Sequence, residues 1–147
     1  MSIRRFEGRY DISLEQALAL YTAPVLLESP VLGFAYQVES YSVIRNGPPF
    51  ATQGGALQLR ITGGAVRYAD LGSANWLTLV DTAPDRHCYI GVSTFVGGAS
   101  DGPTHYGSWG VNLAMNTANP TVNEEKPGAP LILVVAWRLL PTYAETA

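Results

Sequence analysis

Two stretches of this chain alternate apolar with polar or small residues at a period of two: Leu57-Gln58-Leu59-Arg60-Ile61-Thr62 and Trp109-Gly110-Val111-Asn112-Leu113-Ala114-Met115-Asn116. That spacing sends successive side chains to opposite faces of a strand, so one face is buried and the other is left to water or a partner. In Phe34-Ala35-Tyr36-Gln37-Val38-Glu39-Ser40-Tyr41-Ser42-Val43-Ile44 the large apolar residues hold even positions up to Val38 and odd positions from Tyr41. The phase slips near Ser40, which predicts a β-bulge. Asn46-Gly47-Pro48-Pro49 closes that strand, and Gly54-Gly55 precedes the next. Gly63-Gly64 predicts a hairpin turn into Ala65-Val66-Arg67-Tyr68. Trp76-Leu77-Thr78-Leu79-Val80 and His87-Cys88-Tyr89-Ile90-Gly91-Val92 predict two more strands. They are joined through Asp81 to Asp85 and followed by the Gly-rich loop from Gly97 to Pro103.

Helical signal is confined to one place. Ser13-Leu14-Glu15-Gln16 matches a capping box and leads into Ala17-Leu18-Ala19-Leu20, enough for a turn or two. Pro24 and Pro30 bracket Val25-Leu26-Leu27, an extended segment suited to a sheet edge because proline donates nothing to a ladder. The last strand, Leu131-Ile132-Leu133-Val134-Val135-Ala136-Trp137, is apolar at every position, so both of its faces are expected to be covered. A central strand partly covered by the N-terminal segment satisfies this, and so does a subunit interface. Short strands with turn signals between them and almost no helix predict an all-β protein, an antiparallel β-sandwich of jelly-roll type. The expected organisation is an N-terminal arm over residues 1–11, one sandwich domain over 12–141 and a C-terminal tail over 142–147.

Composition agrees with one folded domain: 147 residues, 47% of them hydrophobic, with only 14% charged and with 15 Gly, 10 Pro and 8 Tyr. The net charge of −3, with nine Lys and Arg spread along the chain, argues against a nucleic-acid partner. Arg4, Arg5 and Arg9 form the one basic cluster and read as a solvated tail, or as an arm that grips an acidic partner. The single cysteine, Cys88, forms no internal disulfide and reads as a small buried residue of its strand. No apolar stretch has the length of a signal-peptide core or a membrane span, so synthesis and folding in a cytoplasm are expected.

Candidate chemistry is sparse. His87 and Cys88 are neighbours on one predicted strand and point to opposite faces, which is unsuited to shared metal ligation. His105 and Asp101 with a serine resemble a hydrolase triad only on paper, without a Gly-x-Ser-x-Gly setting, and Asp101 before Gly102-Pro103 reads as a turn former. Glu124 and Glu125 are neighbours on a polar loop and diverge into solvent rather than facing each other across a cleft. The glycine pairs at 54-55, 63-64 and 97-98 match no phosphate-binding pattern. Tyr36, Tyr41, Tyr68, Tyr89, Tyr106, Trp76, Trp109 and Trp137 could supply a sugar-stacking platform, but in such a fold most aromatics serve the core. No catalytic, cofactor or metal residue is assigned, and no cofactor is expected.

The order of the pieces carries a resemblance. Leu18 to Leu27, the segment ending Ser42-Val43-Ile44-Arg45, and Phe50-Ala51-Thr52-Gln53-Gly54-Gly55-Ala56-Leu57-Gln58-Leu59 resemble a family of small virion proteins of tailed bacteriophages. Val111 to Asn116 and the strand ending Trp137-Arg138-Leu139 are similar to that family's last two strands. The likeness spans about residues 12 to 140. The chain departs from it at Glu28-Ser29-Pro30-Val31-Leu32-Gly33, where the family carries a Pro-Ala-Pro-Gly-like stretch. The resemblance implies a non-enzymatic structural protein of the virion. The leading expectation is a capsid decoration or cement protein binding the major capsid protein, as a homo-oligomer with a trimer favoured. The alternative is a tail-associated receptor- or carbohydrate-binding module. The N-terminal arm and the loops Gly97 to Gly107 and Asn116 to Gly128 are the expected contacts, and deleting residues 2–9 is expected to leave the thermal melt nearly unchanged.

Overall fold

The computed structural model describes residues 4–62, 67–70, 86–92, 109–124 and 127–141. Within them the chain forms β1 Arg4–Ile12, α1 Leu14–Ala17, β2 Val25–Glu28, β3 Phe34–Asn46, β4 Leu57–Ile61, β5 Arg67–Asp70, β6 Arg86–Val92, β7 Val111–Met115 and β8 Leu131–Pro141. The strands make two four-stranded antiparallel sheets, in the orders β1-β8-β3-β6 and β2-β7-β4-β5. The all-β expectation holds. Strand β1 pairs with β8, β2 with β7, β3 with β6 and β4 with β5, as in one long hairpin. That hairpin is folded over so that β3 also meets β8 and β4 also meets β7.

One hydrophobic core draws on both sheets. Val38, Val43, Leu133, Val135 and Trp137 come from the first, and Leu57, Leu59, Val111, Leu113 and Met115 from the second. Each such side chain taken fully from water stabilises the fold by about 1.5–3 kcal/mol, which makes this shared layer the main force holding the sheets together. Helix α1 begins as its sequence requires. The Ser13 hydroxyl accepts from the Gln16 N–H at 3.1 Å, and the Gln16 side chain accepts from the Ser13 N–H at 2.9 Å. Among the described residues strand β2 lies at a sheet edge, as its flanking prolines predict. The phase slip in β3 is a bulge: Val38 faces Trp137 and Ser40 faces Ala136, leaving Glu39 as the extra residue.

Three expectations change. Residues 4–11, read as part of an arm, belong instead to an edge strand paired with β8 from Arg4–Leu139 to Ile12–Leu131. The charged residues conceal a period of two in which Phe6, Gly8, Tyr10 and Ile12 face the core side. Strand β8 is not covered equally on both faces: Leu131, Leu133, Val135, Trp137 and Leu139 are buried, whereas Ile132, Val134 and Ala136 are half-buried. The N-terminal segment covers its edge, not its face. In register beside those half-buried residues stand Asp11, Arg9 and Glu7, and long charged side chains of this kind shade adjacent apolar surface. Strand β4 departs from simple alternation, since Gln58 is only 5% exposed and its Oε1 accepts from Arg60 Nε at 2.8 Å. The strand expected at 76–80, the turn at 63-64 and the loop at 97–103 lie outside the described residues, as do the terminal tail residues 142–147.

Candidate contact surface

Three connections meet at one end of the fold: the segment after α1, the β3–β4 loop and the β7–β8 loop. Asn119 braces them. Its Oδ1 accepts the N–H groups of Tyr21 at 2.8 Å and Thr22 at 3.2 Å, and its Nδ2 donates to Thr22 Oγ1 at 3.1 Å. Thr52 and Thr121 bridge the other two loops through backbone bonds and through hydroxyls 2.7 Å apart. The Ala118 N–H donates to Gly54 O at 2.8 Å, and Asn116 Oδ1 accepts from the Ala56 N–H at 2.8 Å. Gly54 has φ +86, and a Cβ there would strike the Ala118 carbonyl, so only glycine suits this crossing. Beneath the loops Leu20 and Phe50 are fully buried.

This bracing presents side chains that the core did not take. Tyr21 is 49% exposed and Val122 38% exposed, each next in sequence to a threonine of the bracing network, Thr22 and Thr121. An aromatic ring held on a hydrogen-bonded loop offers contact area at little entropic cost. Tyr21 is nearly silent in the sequence. Its one signal was its place just after a capped helical turn, where the chain must emerge from the core.

On the adjoining flank, β1 lays charge along a sheet edge. Arg5 Nε lies 3.0 Å from Glu39 Oε1, and Arg138 Nε lies 3.5 Å from the same oxygen. The bulge in β3 sets Glu39 between these guanidiniums. Arg9 pairs with Asp11 at 3.3 Å, and Arg4 sits 4.6 Å from the centroid of the Phe34 ring. Solvent-exposed pairs of this kind add at most about 1 kcal/mol each and serve mainly to order the surface.

Behind this edge lies a polar relay. The Trp137 Nε1–H donates to the Tyr10 hydroxyl at 2.8 Å, and that hydroxyl donates to Glu28 Oε2 at 2.5 Å. Glu28 reaches it because the register of β2 shifts between Leu26 and Glu28, setting Glu28 opposite the core-facing Val111. Tyr36 donates to the Ser29 carbonyl at 2.7 Å, and its ring meets Trp137 edge-on at 5.4 Å. Burial, reinforced by the hydrogen bond to Glu28, raises the Tyr10 phenol well above its ordinary range. Burial and the Glu28 charge push Tyr36 up to about 12. Raised folded-state values mean that the unfolded chain loses these protons first. The stabilisation is full below about pH 10 and declines as pH rises toward the folded values. Denaturant melts between about pH 10 and 12 are expected to show a steep loss of stability that Tyr10→Phe with Tyr36→Phe flattens. An unchanged slope would place the alkaline loss in other groups.

The structure distributes the other candidates widely. His87 and Cys88 lie on β6, in register with Arg45 and Ile44 of β3. Asp101, His105, Glu125, Trp76 and Tyr106 lie outside the described residues, and Glu124 is exposed. Tyr36, Tyr41 and Trp137 are core residues and offer no sugar platform. Trp109 packs partly buried against the core. Among the described residues no three His, Cys, Asp or Glu side chains gather as metal ligands, and no helix is long and apolar enough to cross a membrane. What the arrangement can do is make contacts, through the braced loop end and the charged edge. In comparisons with protein-family models, curated proteins and solved structures, the chain finds no match.

Proposed function

We propose that this chain is a jelly-roll β-sandwich that serves as a non-enzymatic structural protein of a phage virion, a capsid decoration or cement protein bound to the outer shell. The observation that carries the reading is the strand pairing, β1:β8, β2:β7, β3:β6 and β4:β5 in two four-stranded sheets, the order a jelly roll requires and one recurrent in viral capsid domains. The sequence resemblance points the same way. Fold alone assigns no function, so the reading also draws on the braced loop end, where Tyr21 and its neighbours supply a preorganised contact. Repeated copies on a symmetric shell multiply modest affinities.

A second reading, a receptor- or carbohydrate-binding module at a tail, is favoured by one feature: Tyr21 is exposed on a hydrogen-bonded loop, and an exposed aromatic ring is the chemistry of a sugar contact. Quantitative mass spectrometry of purified particles separates the two. Copies in a simple ratio to the major shell protein support decoration, and Tyr21→Ser is then expected to weaken rebinding to stripped shells at least about tenfold while leaving the melt intact. A handful of copies per particle supports the tail reading, and absence from particles overturns both.

A further inference from the structure

We propose that the open edge of β1 is a two-fold docking edge for a second copy of this chain. Among the described residues β1 is the outermost strand of its sheet, paired on one side with β8, so the backbone groups on its other side face outward. Such an edge is a template for another strand, and proteins ordinarily blunt it with charge. Here the charge has a pattern. Arg5, Glu7, Arg9 and Asp11 are all exposed on the same face and alternate in sign.

Gly8 lies midway between Glu7 and Arg9 and midway between Arg5 and Asp11. When two β1 strands run antiparallel with Gly8 facing Gly8, Glu7 of each copy faces Arg9 of the other, and Arg5 of each faces Asp11 of the other. Every charge on that face meets its opposite. The neighbouring registers are excluded by the same residues. An axis at Glu7 sets Glu7 against Glu7 and Arg5 against Arg9, whereas an axis at Arg9 sets Arg9 against Arg9 and Glu7 against Asp11. Axes at Phe6 or at Tyr10 match only Arg5 with Glu7 or only Arg9 with Asp11, so the register centred on Gly8 is the one that pairs all four charges.

That register also suits the ladder. It places odd residues opposite odd and even opposite even, so groups that point outward from one strand meet groups that point outward from the other. On the core side Phe6 comes opposite Tyr10 of the second copy. Both rings are only half-buried in the single chain, so pairing covers surface the fold leaves open. Gly8 contributes no side chain at the axis because the Tyr10 ring already lies over it: a Cβ on Gly8 would strike the Tyr10 hydroxyl. The result is one continuous eight-stranded sheet across two copies, a closed isologous pair in place of the trimer expected for a decoration protein. The proposal is independent of whether the chain belongs to a virion.

Sedimentation velocity on the full chain tests it. The wild-type protein is expected to form a dimer that weakens as salt rises from about 0.05 to about 0.5 M. Glu7→Arg and Arg9→Glu are each expected to weaken self-association at least about tenfold, because each sets like charges opposite one another at two places. Mixing the two variants is expected to give a heterodimer, and combining both substitutions in one chain to restore the homodimer. Should a reversal prevent folding, Glu7→Gln and Arg9→Gln remove the charges singly, with a smaller weakening expected. A wild-type chain monomeric at about 100 μM, an assembly indifferent to all of these substitutions, or failure of both mixing and recombination while the single variants stay folded would overturn the proposal.

Discussion

Deleting residues 2–9 is expected to destabilise the protein by more than about 5 kcal/mol, a large part of the roughly 5–15 kcal/mol that holds a domain of this size folded. The deletion removes the register partners of β8 from Val134 to Leu139 and strips Phe6 from the core side of the sheet. Loss of a fully buried phenylalanine costs about 3–5 kcal/mol, and half-buried Phe6 contributes part of that. The remaining β8 then becomes an exposed, almost wholly apolar edge, which invites aggregation. Circular dichroism melts with size-exclusion chromatography check this. A truncated chain that melts at the wild-type temperature would show β1 to be dispensable, which is what its charged sequence suggests on first reading.

Trp137→Ala carries the second large effect. Trp137 is 1% exposed, sits between Phe6 at 6.4 Å and Tyr36 at 5.4 Å, and supplies the hydrogen bond that positions Tyr10. Truncation leaves a cavity and deprives the Tyr10 hydroxyl of its donor, for a cost of about 3–5 kcal/mol. In a chain of this length that lowers the melting temperature by about 6–20 °C. Trp137→Phe is the informative companion. It retains most of the packing and removes only the Nε1–H, so a loss of about 1–2 kcal/mol is expected by urea titration. Equal losses in the two variants would assign the whole effect to the hydrogen bond and none to the cavity.

The two predictions draw on residues of unequal legibility. Trp137 was readable as a core aromatic because it closes an apolar run, and a run of that kind has few places to go but a central strand. Phe6 and Tyr10 carry the same period-two signal. In their segment, however, every other position is charged and the chain end is near, so composition outweighed spacing. Glu28 was not readable at all: alternation along β2 sends it to the outer face, and only the bulge against β7 turns it inward to Tyr10. Tyr21 and Asn119 are 98 residues apart and meet only because the folded hairpin brings their loops to one end.

The sequence by itself determined the local elements: the capped turn at Ser13, the slip in β3 at Ser40, the glycine turn at 54-55 and the strands of β4, β7 and β8. These depend on side-chain alternation, capping and backbone freedom, which act over a few neighbouring residues. Tertiary structure alone decided which strands are neighbours, that β1 seals the edge of β8, and that Trp137, Tyr10 and Glu28 form one relay. Those outcomes rest on pairing between distant segments, whose register is set by the shared core and by bulges rather than by any signal within a single strand.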